Sequence, residues 1–232
     1  MSTAAPRAPM DSAVVAARQR EDVVVGQEIV RHRLFSRLMH WAVAGTFFLS
    51  LLTGMPIWTP VFGWMAHLFG GLSVCRVIHP WVGLAFFVAS LVQFFEWIGD
   101  MRLEPWERDW LGPRAIRYMR YEGDDPRTGK YNGGQKLYFW AVTLGAFGLL
   151  LSGLLMWFPL SFPRVVMELA YLVHDFTFIC FTASLVFHIY LGTAAEPGTF
   201  RSMTRGTVSR AWARLHHPRW YRQVTGEETR RG

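Results

Sequence analysis

Residues 171–192, Tyr-Leu-Val-His-Asp-Phe-Thr-Phe-Ile-Cys-Phe-Thr-Ala-Ser-Leu-Val-Phe-His-Ile-Tyr-Leu-Gly, decide how this chain is read. The stretch is almost wholly apolar and has the length a bilayer asks of a spanning helix. It carries two histidines, His174 near its start and His188 near its end. At about 100° per residue, fourteen residues return within about 40° of the starting direction, so both rings face one side. At about 1.5 Å per residue they stand roughly 21 Å apart along the axis. Ionisable side chains inside a span are costly, and their first reading is functional. Two imidazoles on one face, near opposite membrane surfaces, suggest two stacked haems, each needing a second ligand from another helix.

The composition agrees with a membrane chain. Of 232 residues, 51% are hydrophobic and 16% aromatic, too apolar for an ordinary soluble domain and with room for several spans. Cys75 and Cys180 form neither CxxC nor CxxCH, which disfavours covalent haem attachment, and one lies at membrane depth, which disfavours a disulfide. A net charge of +7 would suggest nucleic acid in a soluble protein. Here the basic residues flank apolar stretches, so topology explains them better and no nucleic-acid partner is expected.

Outward from the fourth span, three more are expected: about 38–58, 80–98 and 137–157, the second entered through His79-Pro80. Residues 1–30 lack a continuous apolar h-region and read as a mobile or partner-bound N-terminal tail rather than a secretory signal. Residues 59–79 read as a short interfacial helix with a glycine stop. Residues 99–136 are polar, with a surface helix expected over Trp106 to Arg120. Residues 193–232 form a basic tail. The expected class is therefore all-α, an integral-membrane four-helix bundle over 31–192 with two haems b between the helices and polar cytoplasmic tails.

Charge gives the orientation. Six Lys or Arg precede the first span, eight lie in 99–136 and eight follow Gly192, so 22 of 24 share one side. The positive-inside rule puts that side, and both termini, in the cytoplasm.

Depth then pairs the histidines. His40 lies where the first span leaves the cytoplasm and His188 where the fourth returns to it. His79 and His174 open their spans from the outer side. An inner haem iron is therefore expected on His40 and His188, and an outer one on His79 and His174. A neutral imidazole offers a nitrogen lone pair to iron, while its other ring N–H is fixed by a neighbour. Asp175 is a candidate for that neighbour beside His174. Gly45, Gly83 and Gly192 would let a macrocycle approach the backbone. His67 is the alternative outer ligand; His32 reads as solvated, and His216 and His217, in the basic tail, as solvated or phosphate-facing.

The residues resemble a known family. Met39-His40-Trp41, Ile78-His79-Pro80, Lys130-Tyr-Asn-Gly-Gly-Gln-Lys136, His174, and His188-Ile-Tyr fourteen residues later are similar to the cytochrome b (gamma) subunit of respiratory formate dehydrogenase. The tail Val208-Ser-Arg-Ala-Trp-Ala-Arg-Leu-His-His-Pro-Arg-Trp-Tyr-Arg222 completes the likeness, which covers about Arg31 to Glu227. The resemblance implies two haems b with two histidines each. It also implies an iron–sulfur beta subunit, a catalytic alpha subunit with molybdenum or tungsten, and a bacterial inner membrane. It implies, too, a menaquinone or ubiquinone site beside the haem held by His188. By the same resemblance, Asn132 and Gly134 contact the quinone, with Tyr131, Gln135 and Lys136 as weaker candidates. Read from the residues alone, Asn132 is equally a cap for the third span, and a glycine pair lets a flat ring reach the backbone. The chain has no cysteine set for a cluster, so formate oxidation itself belongs elsewhere. Two rivals stand beside this reading: the cytochrome b subunit of a nickel–iron hydrogenase, and a haem-free membrane anchor or transporter.

Overall fold

The computed structural model describes residues 10–112 and 125–227. Most of Trp106–Arg120, where a surface helix is expected, lies outside them. The described part begins with a short turn of 3-10 helix, Pro105–Leu111.

Among the described residues, four helices are long and apolar enough to cross a membrane: α2 (Leu34–Trp58), α3 (Leu72–Trp97), α4 (Gly133–Trp157) and α5 (Arg164–Tyr190). Each starts earlier than its apolar run. The second starts well before Pro80, which sits inside α3 rather than at its first turn. A helix end is set by backbone hydrogen bonds, so polar residues flanking an apolar run join it freely. In the 59–79 connection, residues Pro60–Phe69 form a 3-10 helix. It is capped by the Thr59 hydroxyl, which accepts from the Val61 N–H, and stopped by Gly70 at φ 90°.

By packing, the described chain divides into two units. One comprises Met39–Glu96 and Trp140–His188, the bulk of the four long helices. Its outward positions carry Leu144, Leu172, Phe176, Val186 and Phe187, all exposed, as lipid contact requires. Its buried centre is Phe47, Phe86, Ala146 and Phe181.

The other unit comprises residues up to Leu38, Trp97–Phe139 and Ile189 onward. Where the sequence reads as an N-terminal tail, the structure has α1 (Met10–Ala16) and the strands β1 (Val23–Val25) and β2 (Glu28–Val30). They pair antiparallel, and β2 pairs in turn with β3 (Thr207–Ser209), Ile29 opposite Val208. Three-residue strands carry too little alternation to be seen in sequence. Ile29 and Val208 pack on Trp212 and Ala213 of α7 (Arg210–His216) and on Trp220 and Tyr221 of α8 (Pro218–Thr225); α6 (Phe200–Thr204) precedes β3. The Arg31 guanidinium lies 4.9 Å from the Trp212 ring centre and 5.3 Å from that of Trp220. Gly206, at φ 84°, brings its carbonyl to the N–H groups of Arg31 (2.8 Å) and His32 (3.2 Å). N- and C-terminal segments thus share one core.

Candidate functional site

Within the unit built from the long helices, the structure sets four histidine rings in two pairs. His79 (α3) and His174 (α5) have ring centres 6.3 Å apart. His40 (α2) and His188 (α5) have theirs 6.1 Å apart. His67 is exposed on the 3-10 helix of the 59–79 connection.

The His79/His174 pair is held from behind. The Nδ1 of His79 lies 3.1 Å from the Ser50 carbonyl, which accepts its proton, with the Thr53 hydroxyl at 3.3 Å. The Nδ1 of His174 lies 3.0 Å from the Ser152 hydroxyl. Ser152 donates its own proton to the Gly148 carbonyl at 2.6 Å, so toward His174 it acts as acceptor. Both rings therefore carry their proton on Nδ1 and turn an Nε2 lone pair forward. Asp175 serves another partner: its carboxylate accepts from the Trp58 indole N–H at 3.2 Å.

Gly54 makes room for the His79 ring, and Gly153 lies against the His174 ring. A Cβ on Gly54 would stand 2.9 Å from the His79 Cε1, and one on Gly153 would stand 3.5 Å from the His174 Cε1. At Gly45, Gly83 and Gly192 a Cβ would meet nothing within 4 Å among the described residues. The sequence carries a signal for Gly54 that the reading above missed. It lies fourteen residues after His40, one ring level along the same face. Gly153 and Ser152 have no such signal.

At the other pair, the Nδ1 of His40 is buried and makes no hydrogen bond among the described residues; the same holds for Oε1 of Gln93, fourteen residues after His79. The Trp41 ring stands edge-on to His40 at 5.2 Å.

The Tyr131–Lys136 string lies in the other unit, at the start of α4. Asn132 is its N-cap. Its Oδ1 accepts from the Gln135 N–H at 2.9 Å, and its own N–H donates to Gln135 Oε1 at 3.1 Å, a reciprocal cap. The backbone step at Gly133 and Gly134 does take a flat ring, but the ring is the Trp110 indole: a Cβ on Gly134 would stand 2.7 Å from its Cζ3. The open approach expected from the glycine pair is thus filled by a side chain that sequence distance concealed. Lys136 donates to Glu107 at 2.8 Å, both buried. Burial pushes the Tyr131 hydroxyl well above its ordinary range, leaving a neutral phenol. Hydrogen bonds from the Arg219 guanidinium, one at 3.0 Å, hold the Glu104 carboxyl down to about 2. Tyr131, Lys136, Glu104 and Arg219 line a cleft of ≈ 340 Å³ with Asp100 and Lys130. So charged a wall suits water and ions rather than an apolar ligand.

His32, read from sequence as solvated, and His217, read as solvated or phosphate-facing, are buried: His32 against Trp97 and Tyr131, His217 between Trp212 and Trp220 with its Nδ1 at 2.8 Å from the Gly129 carbonyl. The core that covers them includes the N-terminal hairpin, which the sequence did not disclose.

Comparison with known proteins gives the family. The model of the prokaryotic cytochrome b561 family matches residues 31–206. The chain belongs to the prokaryotic cytochrome b561 family. It is 32% identical, over 88% of its length and 94% of the relative's, to the cytochrome b556(Fdn) subunit of the nitrate-inducible formate dehydrogenase of Escherichia coli K12. To the cytochrome b556(fdo) subunit of formate dehydrogenase from the same organism it is 33% identical, over 84% of this chain and 93% of the relative. A formate dehydrogenase cytochrome b556 subunit of Haemophilus influenzae is 33% identical, over 84% and 83%.

Membership in a cytochrome b561 family implies haem b, and the residues fit it. The ring centres of each pair, 6.3 and 6.1 Å apart, leave room for a metal atom between two imidazoles. The Nε2 lone pairs left free by the Nδ1 contacts of His79 and His174, and Gly54 beside the His79 ring, suit ligation. His79 and His174, and likewise His40 and His188, are the residues that would hold the family's haem b, which would supply a one-electron carrier.

Proposed function

We propose that this chain is the membrane-anchoring dihaem cytochrome b subunit of a formate dehydrogenase, carrying electrons from an iron–sulfur partner to membrane quinone. The observation that carries the reading is the pair of ring separations, each leaving room for a metal atom between two imidazoles, in a chain whose named relatives are formate dehydrogenase subunits. Haem b, when bound, supplies a one-electron carrier at each pair.

His79 and His174 hold the outer iron, with Ser50 and Ser152 fixing their tautomers. His40 and His188 hold the inner iron. The basic segments keep both termini cytoplasmic, so His79 and His174 would hold the haem on the electron-entry side and His40 and His188 the haem on the quinone side. Asn132 offers its side-chain amide to a quinone carbonyl, with Gly134, Tyr131 and Gln135 around it; the resemblance supports this assignment. A flat quinone ring on the glycine step takes the place of the Trp110 indole. Protons for quinone reduction then come from the cytoplasm, while formate oxidation releases its proton outside. The enzyme so builds membrane potential without pumping.

The test is purification of the complex through this chain. A formate-oxidising partner with molybdenum or tungsten should co-purify, and Asn132→Ala should lose quinone turnover while keeping formate oxidation with an artificial acceptor. Trp110→Ala, which empties the glycine step, should tighten quinone binding. A hydrogen-oxidising partner instead would assign the chain to a hydrogenase. Unchanged quinone turnover in Asn132→Ala, with unchanged quinone binding in Trp110→Ala, would move the quinone site elsewhere.

A further inference from the structure

The buried centre of the long-helix unit has an arrangement that packing alone does not require. Phe47 lies seven residues after His40, Phe86 seven after His79, and Phe181 seven from both His174 and His188. Seven residues return within about 20° of the starting direction and advance about 10.5 Å. Each ring therefore sits on its histidine's face, halfway between the two histidine levels. The three meet there. Phe47 and Phe181 stack at 4.6 Å with their planes 23° apart, and Phe86 stands 5.6 Å from each. The helix that carries no histidine makes room for them: Ala146 is buried in the cluster, and a Cβ on Gly145 would stand 2.9 Å from the Phe181 Cδ2.

In a bilayer, aliphatic side chains hold helices together as well as rings do, because packing rather than hydrophobicity drives association. Three convergent rings from the three helices that carry the haem ligands point to a second use. We propose that Phe47, Phe86 and Phe181 are positioning residues for electron transfer, forming the packed crossing between the two haem levels. The inference rests on the dihaem reading. Electronic coupling decays more slowly through close-packed atoms than across a gap, and π systems extend the path further than aliphatic carbon. The same rings exclude water from the space between the two levels. The transfer balances as a one-electron exchange, ferrous to ferric on the donor side and ferric to ferrous on the acceptor side, with no bond made or broken and no proton moved.

The test uses the full chain in membranes, reduced with stoichiometric dithionite and rapidly mixed with duroquinone. Haem oxidation should be biphasic: a fast phase from the haem next to the quinone, then a slow one from the haem across the rings. His79→Ala protein, holding only the inner haem, assigns the fast phase. Phe181→Leu, and Phe47→Leu with Phe181→Leu, should slow the second phase several-fold and leave the first alone. Phe181→Tyr, which keeps the ring, should restore it. Haem content and both midpoint potentials, titrated at equilibrium, should stay at parent values. A second phase unchanged in the double variant, or slowed as much by tyrosine as by leucine, overturns the proposal. So does a shifted potential, which would mean the rings act on the haem environments and not on the crossing. If the double variant loses haem, Phe181→Leu alone is judged by the same criteria. Fewer than two haems in the parent chain would instead overturn the dihaem reading itself.

Discussion

The Nδ1 of His174 stands 3.0 Å from the hydroxyl oxygen of Ser152 on the neighbouring helix α4. The contact fixes the tautomer, aims Nε2 away from α4 and makes the ring a stronger base. Ser152→Ala should keep the inner haem and weaken retention of the outer one by about 10-fold, the low end for loss of such a support. Its midpoint potential should rise, since a weaker base stabilises ferric iron less. Haem retention during detergent washing and a redox titration read both effects.

The Lys136–Glu107 pair, 2.8 Å apart, is buried on both sides, and Glu107 Oε2 also accepts the Glu104 N–H at 2.8 Å. Removing one member leaves an uncompensated buried charge, which typically costs about 3–5 kcal/mol. Glu107→Leu or Lys136→Met should therefore destabilise this unit by roughly that amount. Glu107→Leu combined with Lys136→Met should fall well short of the sum of the single losses, because no lone charge remains. Denaturant titrations of the four proteins give the comparison.

Burial, with the Arg31 charge adding to it, pushes His217 well below its ordinary value of 6.5 despite its hydrogen bond to the Gly129 carbonyl. The sign follows from proton uptake. Above pH 6.5 the ring is neutral folded and unfolded, and its contribution to stability is complete. As pH falls below that value the unfolded chain takes a proton that the folded chain refuses, so stability falls, by up to about 1.4 kcal/mol per pH unit for one proton. Stability, read by tryptophan fluorescence during denaturant unfolding, should fall between pH 7 and pH 5. His217→Gln, which can still donate to Gly129, should flatten that slope.

The four spans and the pairs of histidines that meet were legible because a bilayer imposes coarse constraints: length, apolarity and depth. A fourteen-residue spacing survives any error in where a helix starts. Finer features had no such constraint. The β1–β2–β3 sheet is three residues wide, so its pattern was too short to register, and with it the burial of His32 and His217 was hidden. The Ser152 and Gly153 contacts depend on how α4 is rotated against α5, which an all-apolar helix does not record. The glycine pair at 133–134 read as an approach for a quinone ring, and the ring against that backbone is the Trp110 indole. That Trp110 supplies it depends on a 3-10 turn more than twenty residues away.

The most direct measurement is the haem content of the purified chain and of its four histidine variants, by pyridine haemochrome and reduced-minus-oxidised spectra. The account requires two low-spin haems b per chain. His79→Ala and His174→Ala should each lose one and the same haem, and His40→Ala and His188→Ala should each lose the other. Loss of the same haem from His174→Ala and His188→Ala, or a parent chain with a single haem, would contradict it.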